Sequence, residues 1–277
     1  MAEFTPLVRK PENLMIVDGL NLAFRWKHSG STKFVEDYIA TVLSFSRSYE
    51  SGSIIVAADW GGSDYRKEVY PDYKANRKEL VANQTPEEKE QARKFFDEYE
   101  RTLAALEAHK EIMLVRYKGV EADDIAAYMC SRRIDYAFEK VWLISSDRDW
   151  DLLIEDSVSR FSYVTRKEQT VDTWDNPVPI SDYISYKVLV GDKGDNIPGV
   201  PGVGPKRAAA LIEQYGSALD IYDACPIPGK AKYIQSVNDN REVIPINYEL
   251  MDLKSFCQDA IGRTNLADLG RRLMRFE

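Results

Sequence analysis

Short apolar runs alternate with longer amphipathic stretches along most of the chain. Leu14–Val17, Ile54–Ala58, Ile112–Val115 and Val141–Ile144 are runs without an alternating polar face, and Phe161–Val164 is a further short run interrupted by Ser162. Such runs predict strands covered on both sides, as in a parallel sheet. Helical periodicity covers residues near 33–50, 86–109 and 121–138. Strands that alternate with helices in this way predict βαβ units, hence an α/β fold around a mainly parallel central sheet. Beyond about residue 180 the strand pattern stops and short helices follow. Pro177 and Pro179 place a boundary there, between a domain of residues 1–178 and a helical region of residues 179–277. The stretch from about 64 to 100 is polar and rich in Lys, Arg, Glu and Tyr, which predicts helices projecting from the sheet.

The ends of the predicted strands carry acids. Asp18 follows the first run and Asp59 the second. Glu121, Asp123 and Asp124 follow the third, in GVEADD, and Asp147 and Asp149 follow the fourth, in SSDRDWD. In a parallel sheet, ligands bind outside the carboxyl ends of the strands. A single Asp there is a common turn former or helix cap, but four strands in succession deliver acid to one edge. Asp192 and Asp195 add a pair whose spacing lets both point one way from a helical turn. Asp151 continues the alternation of Asp147 and Asp149 and is assigned to the following helix instead. Like charges packed this tightly cost free energy unless cations sit among them. Hard divalent cations take such oxygen ligands, and two of them can drive an in-line phosphoryl displacement. Carboxylate-rich sites also serve kinases and phosphatases. No GxxxxGK[ST] loop is present, and Asp18-Gly19-Leu20 lacks the second Asp of an aspartyl-phosphate phosphatase.

Composition narrows the chemistry further. The 277 residues are 44% hydrophobic and 30% charged, ordinary values for a globular protein that can bury a full core. No run approaches a membrane span, and the N-terminus does not read as a signal peptide. Cys130, Cys225 and Cys257 are far apart, which fits a reducing cytoplasm and no zinc site. His28 and His109 neighbour no plausible nucleophile, leaving metal and carboxylate chemistry. The net charge of −8 counts modestly against a nucleic-acid partner, unless acids gathered in a metal site explain the deficit.

Two basic segments supply the missing attraction. GVPGVGPKRA places a tight turn at Gly202 and Gly204 before a helix that starts at Pro205 and is capped by Gly216. Glycines allow close backbone approach, and a helix N-terminus offers N–H groups to a phosphate. Lys206 and Arg207 add charge at the same place. This is how a helix–hairpin–helix can hold a DNA phosphate without reading sequence; a plain helical turn is the alternative. Tyr65-Arg66-Lys67 and Tyr70 to Lys78 interleave aromatics with cations. On a helix, Lys74, Arg77 and Lys78 would share one face, and an aromatic could stack an unpaired base.

With these elements in order, the chain resembles the flap endonuclease (5′ nuclease) family, above all its stand-alone bacteriophage members and the 5′ nuclease domain of bacterial DNA polymerase I. The motifs that carry the resemblance are IVDGLN at 16–21, VAAD ending at Asp59, YKANR at 73–77, GVEADD at 119–124, SSDRDWD at 145–151 and GDKGDNIPGVPGVGPKR at 191–207. The resemblance implies a PIN-like fold with a helical arch at about 64–100 and a C-terminal helix–hairpin–helix region. It implies two Mg²⁺ ions, replaceable by Mn²⁺. Asp59, Glu121 and Asp123 would hold one ion, supported by Asp18 and Asp124 through water. Asp149, Asp192 and Asp195 would serve the second, with Asp147 between the two. Lys74 and Arg77 would sit near the scissile phosphate, Tyr73 would stack on a terminal base, and backbone carbonyls around Val200 and Val203 would bind K⁺. The implied activity is Mg²⁺-dependent cleavage of 5′ flaps, nicks and branched duplexes by a cytoplasmic monomer in DNA replication and repair. A primer-removing 5′–3′ exonuclease acting on RNA–DNA hybrids and a non-catalytic junction binder are the alternatives.

Overall fold

The structure is a computed structural model in which residues 12–27 and 33–274 are described, so His28 lies outside them. Six strands form the central sheet: β1 (Glu12–Asp18), β2 (Ser53–Ala57), β3 (Ile112–Val115), β4 (Phe138–Ile144), β5 (Val158–Ser162) and β6 (Lys167–Gln169). Their order is β3-β2-β1-β4-β5-β6. The first five strands pair in parallel and β6 is antiparallel. Every residue of β2 and β3 is buried, so those runs show no alternation. The chain starts in the middle, runs outward through β2 and β3, then returns to build β4 and β5 on the other side. The order therefore reverses between β1 and β4, and the crevice at such a reversal is where this architecture binds ligands. Two strand expectations shift. The fifth strand begins at Val158, before the run starting at Phe161, and Val164 is exposed in the turn beyond it. β6 is too short and polar to stand out in the sequence.

Helices cover both faces: α1 (Gly19–Ala23), α2 (Phe34–Ser48), α3 (Asp64–Val69), α4 (Asn76–Ala82), α5 (Pro86–Glu107) and α6 (Ala122–Ser131). On one face, Tyr38 and Val42 of α2 and Phe95, Tyr99 and Leu106 of α5 pack on Met15, Val17 and Ile54. On the other, Ile125 and Met129 of α6 pack on Leu14, Ile16 and Leu143. α6 stops well short of the expected 138, because the turn through Ala137 (φ 55°) must hand the chain to β4. α5 opens with Pro86 after a Thr85–Glu88 capping box. The projecting arch is also shorter than 64–100. α3 packs against the C-terminal helices, and the second half of α5 lies on the sheet. Only α4 and the first turns of α5 stand out in solvent.

The rest is helical apart from one small ladder: α7 (Tyr183–Val190), β7 (Gly191–Asp192), β8 (Ile197–Pro198), α8 (Pro205–Tyr215), α9 (Ala218–Ala224), α10 (Lys232–Asp239), α11 (Val243–Met251), α12 (Leu253–Ile261) and α13 (Arg263–Leu273). β7 and β8 pair antiparallel, so strand structure does not end at residue 180. The ladder lies so close to α7 that a Cβ on Gly199 would sit 2.1 Å from the Val190 carbonyl. Val188, Leu211, Ile221, Val237 and Ile244 form a separate core for α7–α11. α12 and α13 instead return to the sheet, where Leu253, Cys257, Ile261, Leu269 and Leu273 join the α6 face. Residues 253–273 of the helical region thus share the core of the sheet. The outer edge of β3 is closed by Arg272, whose guanidinium donates to the Leu114 carbonyl. Among the described residues, no helix is long and apolar enough to cross a membrane.

Candidate active site

The carboxyl end of β1 delivers Asp18, which caps α1 by accepting the Asn21 N–H and also accepts the Ser145 hydroxyl at 2.8 Å. Asp59 follows β2 and accepts the Ala122 N–H at 2.6 Å, tying it to the start of α6. Glu121 and Asp123 flank that start. Asp123 accepts the indole N–H of Trp150 at 2.6 Å. After β4, Asp147 caps a short 3-10 helix (Arg148–Leu153) by accepting the Asp149 N–H. Asp192 and Asp195 arrive from the β7–β8 turn, where Asp192 accepts the Gly194 N–H at 2.8 Å. The capping roles and the site roles coincide: a carboxylate that stops a strand is also aimed out of the sheet edge. A narrow cavity of about 20 Å³ is lined by Asp123, Asp149, Asp192, Asp195, Lys187 and Tyr73, so acids from the sheet and from the hairpin share one space.

Cations are interleaved with these acids. Lys74 lies 2.7 Å from Glu121 and 3.4 Å from Asp195. Arg77 pairs with Asp195 at 2.8 Å. Lys187 pairs with Asp149 and lies 3.2 Å from Asp192. The Tyr73 hydroxyl is 2.9 Å from Glu121 and 3.1 Å from Asp195, so its proton is shared between two carboxylates. Burial pushes Glu121 and Asp192 up, but Lys74, Arg66 and Tyr73 around Glu121, and Lys187 with the Gly194 and Asp195 N–H groups around Asp192, together outweigh it and hold both below the ordinary range. Asp18, lacking a cation, is lifted to about 7 by burial and by Asp59. Burial likewise raises Asp59, and burial together with a neighbouring acid raises Asp123 and Asp147.

Several expectations change at this level. Asp124 does not face the cavity: it is fully buried in α6 and holds Arg66 through two contacts of 2.7 Å. Arg66 is therefore no arch cation. It is 3% exposed, lies 3.3 Å from Glu121 and donates to the Leu250 carbonyl of α11. Lys74 does not share a helical face with Arg77 and Lys78. It precedes α4 in a left-handed conformation (φ 56°) that turns it inward, while Lys78 is exposed. Tyr73 is only 4% exposed, so in this state its ring is not available to stack on a base. Asp151 is paired with Arg160 at 2.6 Å, away from the other acids. Lys187 was missed altogether, although it is the lone cation in the apolar helix YISYKVLV.

The hairpin forms as expected. Gly202 adopts φ 77°, Gly204 is the N-cap of α8, Pro205 is its first residue and Gly216 (φ 97°) ends it. Lys206 is exposed beside that N-terminus. Arg207 folds back, donating to the Gly202 carbonyl at 2.6 Å and covering the Tyr233 ring. The Val200 carbonyl accepts the Val203 N–H inside the turn.

The donor set suits hard divalent cations, because every ligand on offer is a carboxylate oxygen. Asp18, Asp59, Glu121, Asp123, Asp147, Asp149, Asp192 and Asp195, when ionised, outnumber Lys74, Arg77 and Lys187 by five charges. Two dications would nearly cancel that surplus. Among the described residues, no three of these groups are gathered tightly enough to hold an ion outright. Each carboxylate is instead turned to its own hydrogen-bond or ion-pair partner.

Comparison with known proteins identifies the family. The 5′-3′ exonuclease N-terminal resolvase-like domain matches residues 13–176, and the 5′-3′ exonuclease C-terminal SAM fold matches residues 178–270. The flap endonuclease of Escherichia phage T5 is 44% identical over 254 residues, which cover 90% of this chain and 86% of that protein. DNA polymerase I of Caldicellulosiruptor bescii is 29% identical over 76% of this chain, which spans 25% of the polymerase. A crystal structure of the phage T5 flap endonuclease, a pseudo-enzyme-product complex with DNA and metal ions, superposes with a TM-score of 0.90. It is 41% identical and covers 96% of this chain and 99% of its own. The chain belongs to the 5′-3′ exonuclease family.

Proposed function

We propose that this chain, a 5′ nuclease by family, hydrolyses DNA phosphodiesters at 5′ flaps, nicks and branched junctions with the help of two Mg²⁺ ions. The observation that carries this reading is the row of mostly buried and half-buried acids at the sheet edge, interleaved with cations from the arch. Asp59, Glu121 and Asp123 would hold one ion, with Asp18 in support, and Asp149, Asp192 and Asp195 the other, with Asp147 between. A pair of such ions supplies Lewis-acid activation of water and charge neutralisation at the leaving oxygen. The chain's own residues do the rest. Lys74 and Arg77 are held by Glu121 and Asp195, ready to be drawn onto a phosphate. Tyr73 donates to Glu121 and would orient it. Lys206 and the N-terminus of α8, opened by Gly202 and Gly204, grip duplex phosphates without reading bases. The Val200 and Val203 carbonyls would take K⁺ there, since a carbonyl that accepts one N–H keeps a second lone pair.

All these residues come from one chain, which supports action as a monomer, and a phage relative points to the host cytoplasm. A site that holds phosphates also accepts RNA–DNA hybrids, so primer removal is a companion activity. The test is labelled 5′-flap DNA with Mg²⁺, with Mn²⁺ and with EDTA. The metals should support cutting and EDTA should stop it. Asp147→Ala should bind the flap yet leave it essentially uncut. Near-normal cutting by that variant would sink the assignment. A flap bound but never cut by the unaltered protein would favour a junction binder.

A further inference from the structure

Lys187 sits where a fixed cation is awkward for metal binding. It is 8% exposed and lies on the last turn of α7, the helix that leads into the hairpin. A lysine is rarely buried so far unless paired. Its ammonium group bridges Asp149, from the sheet, and Asp192, from β7. It also lines the cavity shared with Asp123 and Asp195. Resting on the two-ion reading above, Asp149, Asp192 and Asp195 are the carboxylates left for the second ion. A fixed positive charge among them cancels part of the attraction that a dication would feel, and at such short range the effect is large even in a polar protein interior. A DNA phosphate brought to the same place adds a negative charge and restores that attraction.

We propose that Lys187 is a positioning residue that keeps the second divalent site weak in the free protein, so that it fills only when a substrate phosphate joins Asp149, Asp192 and Asp195. Loading would then follow DNA capture. Lys187 lies on α7, which packs against α8, the helix whose N-terminus carries the grip, so capture and loading meet at adjacent helices. Free protein would avoid holding two reactive ions without a target.

Mn²⁺ binding to the DNA-free protein, followed by electron paramagnetic resonance and calorimetry, tests this without reference to activity. The unaltered protein should show one tighter and one weaker ion. Lys187→Met should tighten the weaker one by about tenfold or more. Lys187→Arg, which keeps the charge, should leave it weak, an outcome that mere packing at this position would not produce. Should the Met variant fail to fold, Lys187→Gln makes the same comparison with a neutral hydrogen-bonding side chain. An unchanged or weaker second ion in a folded neutral variant overturns the proposal. Failure of the unaltered protein to take up a second ion even with flap DNA whose scissile linkage is a methylene phosphonate would instead overturn the two-ion reading itself.

Discussion

Asp123 and Asp124 are adjacent in sequence and opposite in role. One faces the cavity and takes a tryptophan N–H, and the other is sealed in α6 against Arg66. Removing one partner of a buried ion pair leaves an uncompensated charge and typically costs about 3–5 kcal/mol. Asp124→Asn should therefore lower stability by about that amount in urea denaturation. A loss near the ~0–1 kcal/mol of an exposed pair would show that Arg66 is not held as described. Lys74 makes the contrary case, in which function outweighs structure. Its ammonium group stands beside Glu121, where, on the proposed reading, phosphoryl transfer would develop negative charge. Lys74→Ala should slow single-turnover flap cleavage by about 10²–10³, the scale for losing one positioned electrostatic group. Flap affinity, measured on the same substrate, should change far less, and an equal fall in both would reduce Lys74 to an anchor. Most of the acids were legible in the sequence because they follow the ends of apolar strands. Their partners were not: whether Arg66, Tyr73 or Lys187 points inward depends on packing between segments distant in the chain.

Strands were the elements best read from sequence, since buried parallel strands need unbroken apolar runs and tolerate little else. Element ends were read less well, because α6 and the projecting arch stop where tertiary turns require, as at Ala137 and Lys74. The hairpin was legible because glycine and proline declare their backbone geometry locally. It also offers a clean test. A Cβ on Gly204 would meet nothing within 4 Å of the protein itself, and this residue has φ −96°. Gly204→Ala should thus melt normally. If DNA approaches this backbone, the added methyl group should still weaken duplex binding by a similar factor on unrelated sequences. Unaltered affinity would mean that nothing docks closely at the turn.

At the scale of the molecule, the C-terminal third is not one appendage. α12 and α13 pack Leu253, Cys257, Ile261, Leu269 and Leu273 onto the sheet. Side chains of this kind contribute about 1.5–3 kcal/mol each when buried, and their sum rivals the ~5–15 kcal/mol that holds a whole domain together. A chain ending at residue 252 should lose cooperative unfolding, and not merely DNA affinity. Thiol labelling reports the same event. In the folded protein burial drives the Cys130 thiol well up and the Cys257 thiol to about 12, so both resist alkylation. Cys130 should become reactive once α12 is gone. Slow labelling together with a sharp melt in the shortened chain would place the boundary back near residue 178. The sequence pattern could not show this return, because α12 and α13 look like any other short amphipathic helices.

The sheet's two borders bear on how the protein behaves in a crowd. β6 has three residues, of which Lys167 and Glu168 are exposed and charged, and β3 has four, with Arg272 occupying the Leu114 carbonyl. Short strands, charged rims and an occupied acceptor leave little for a neighbour's strand to pair with. Although the interior of this sheet is apolar on both faces, its rims offer no template for growth, so copies gathered on the same branched DNA can lie close together without adding strand to strand.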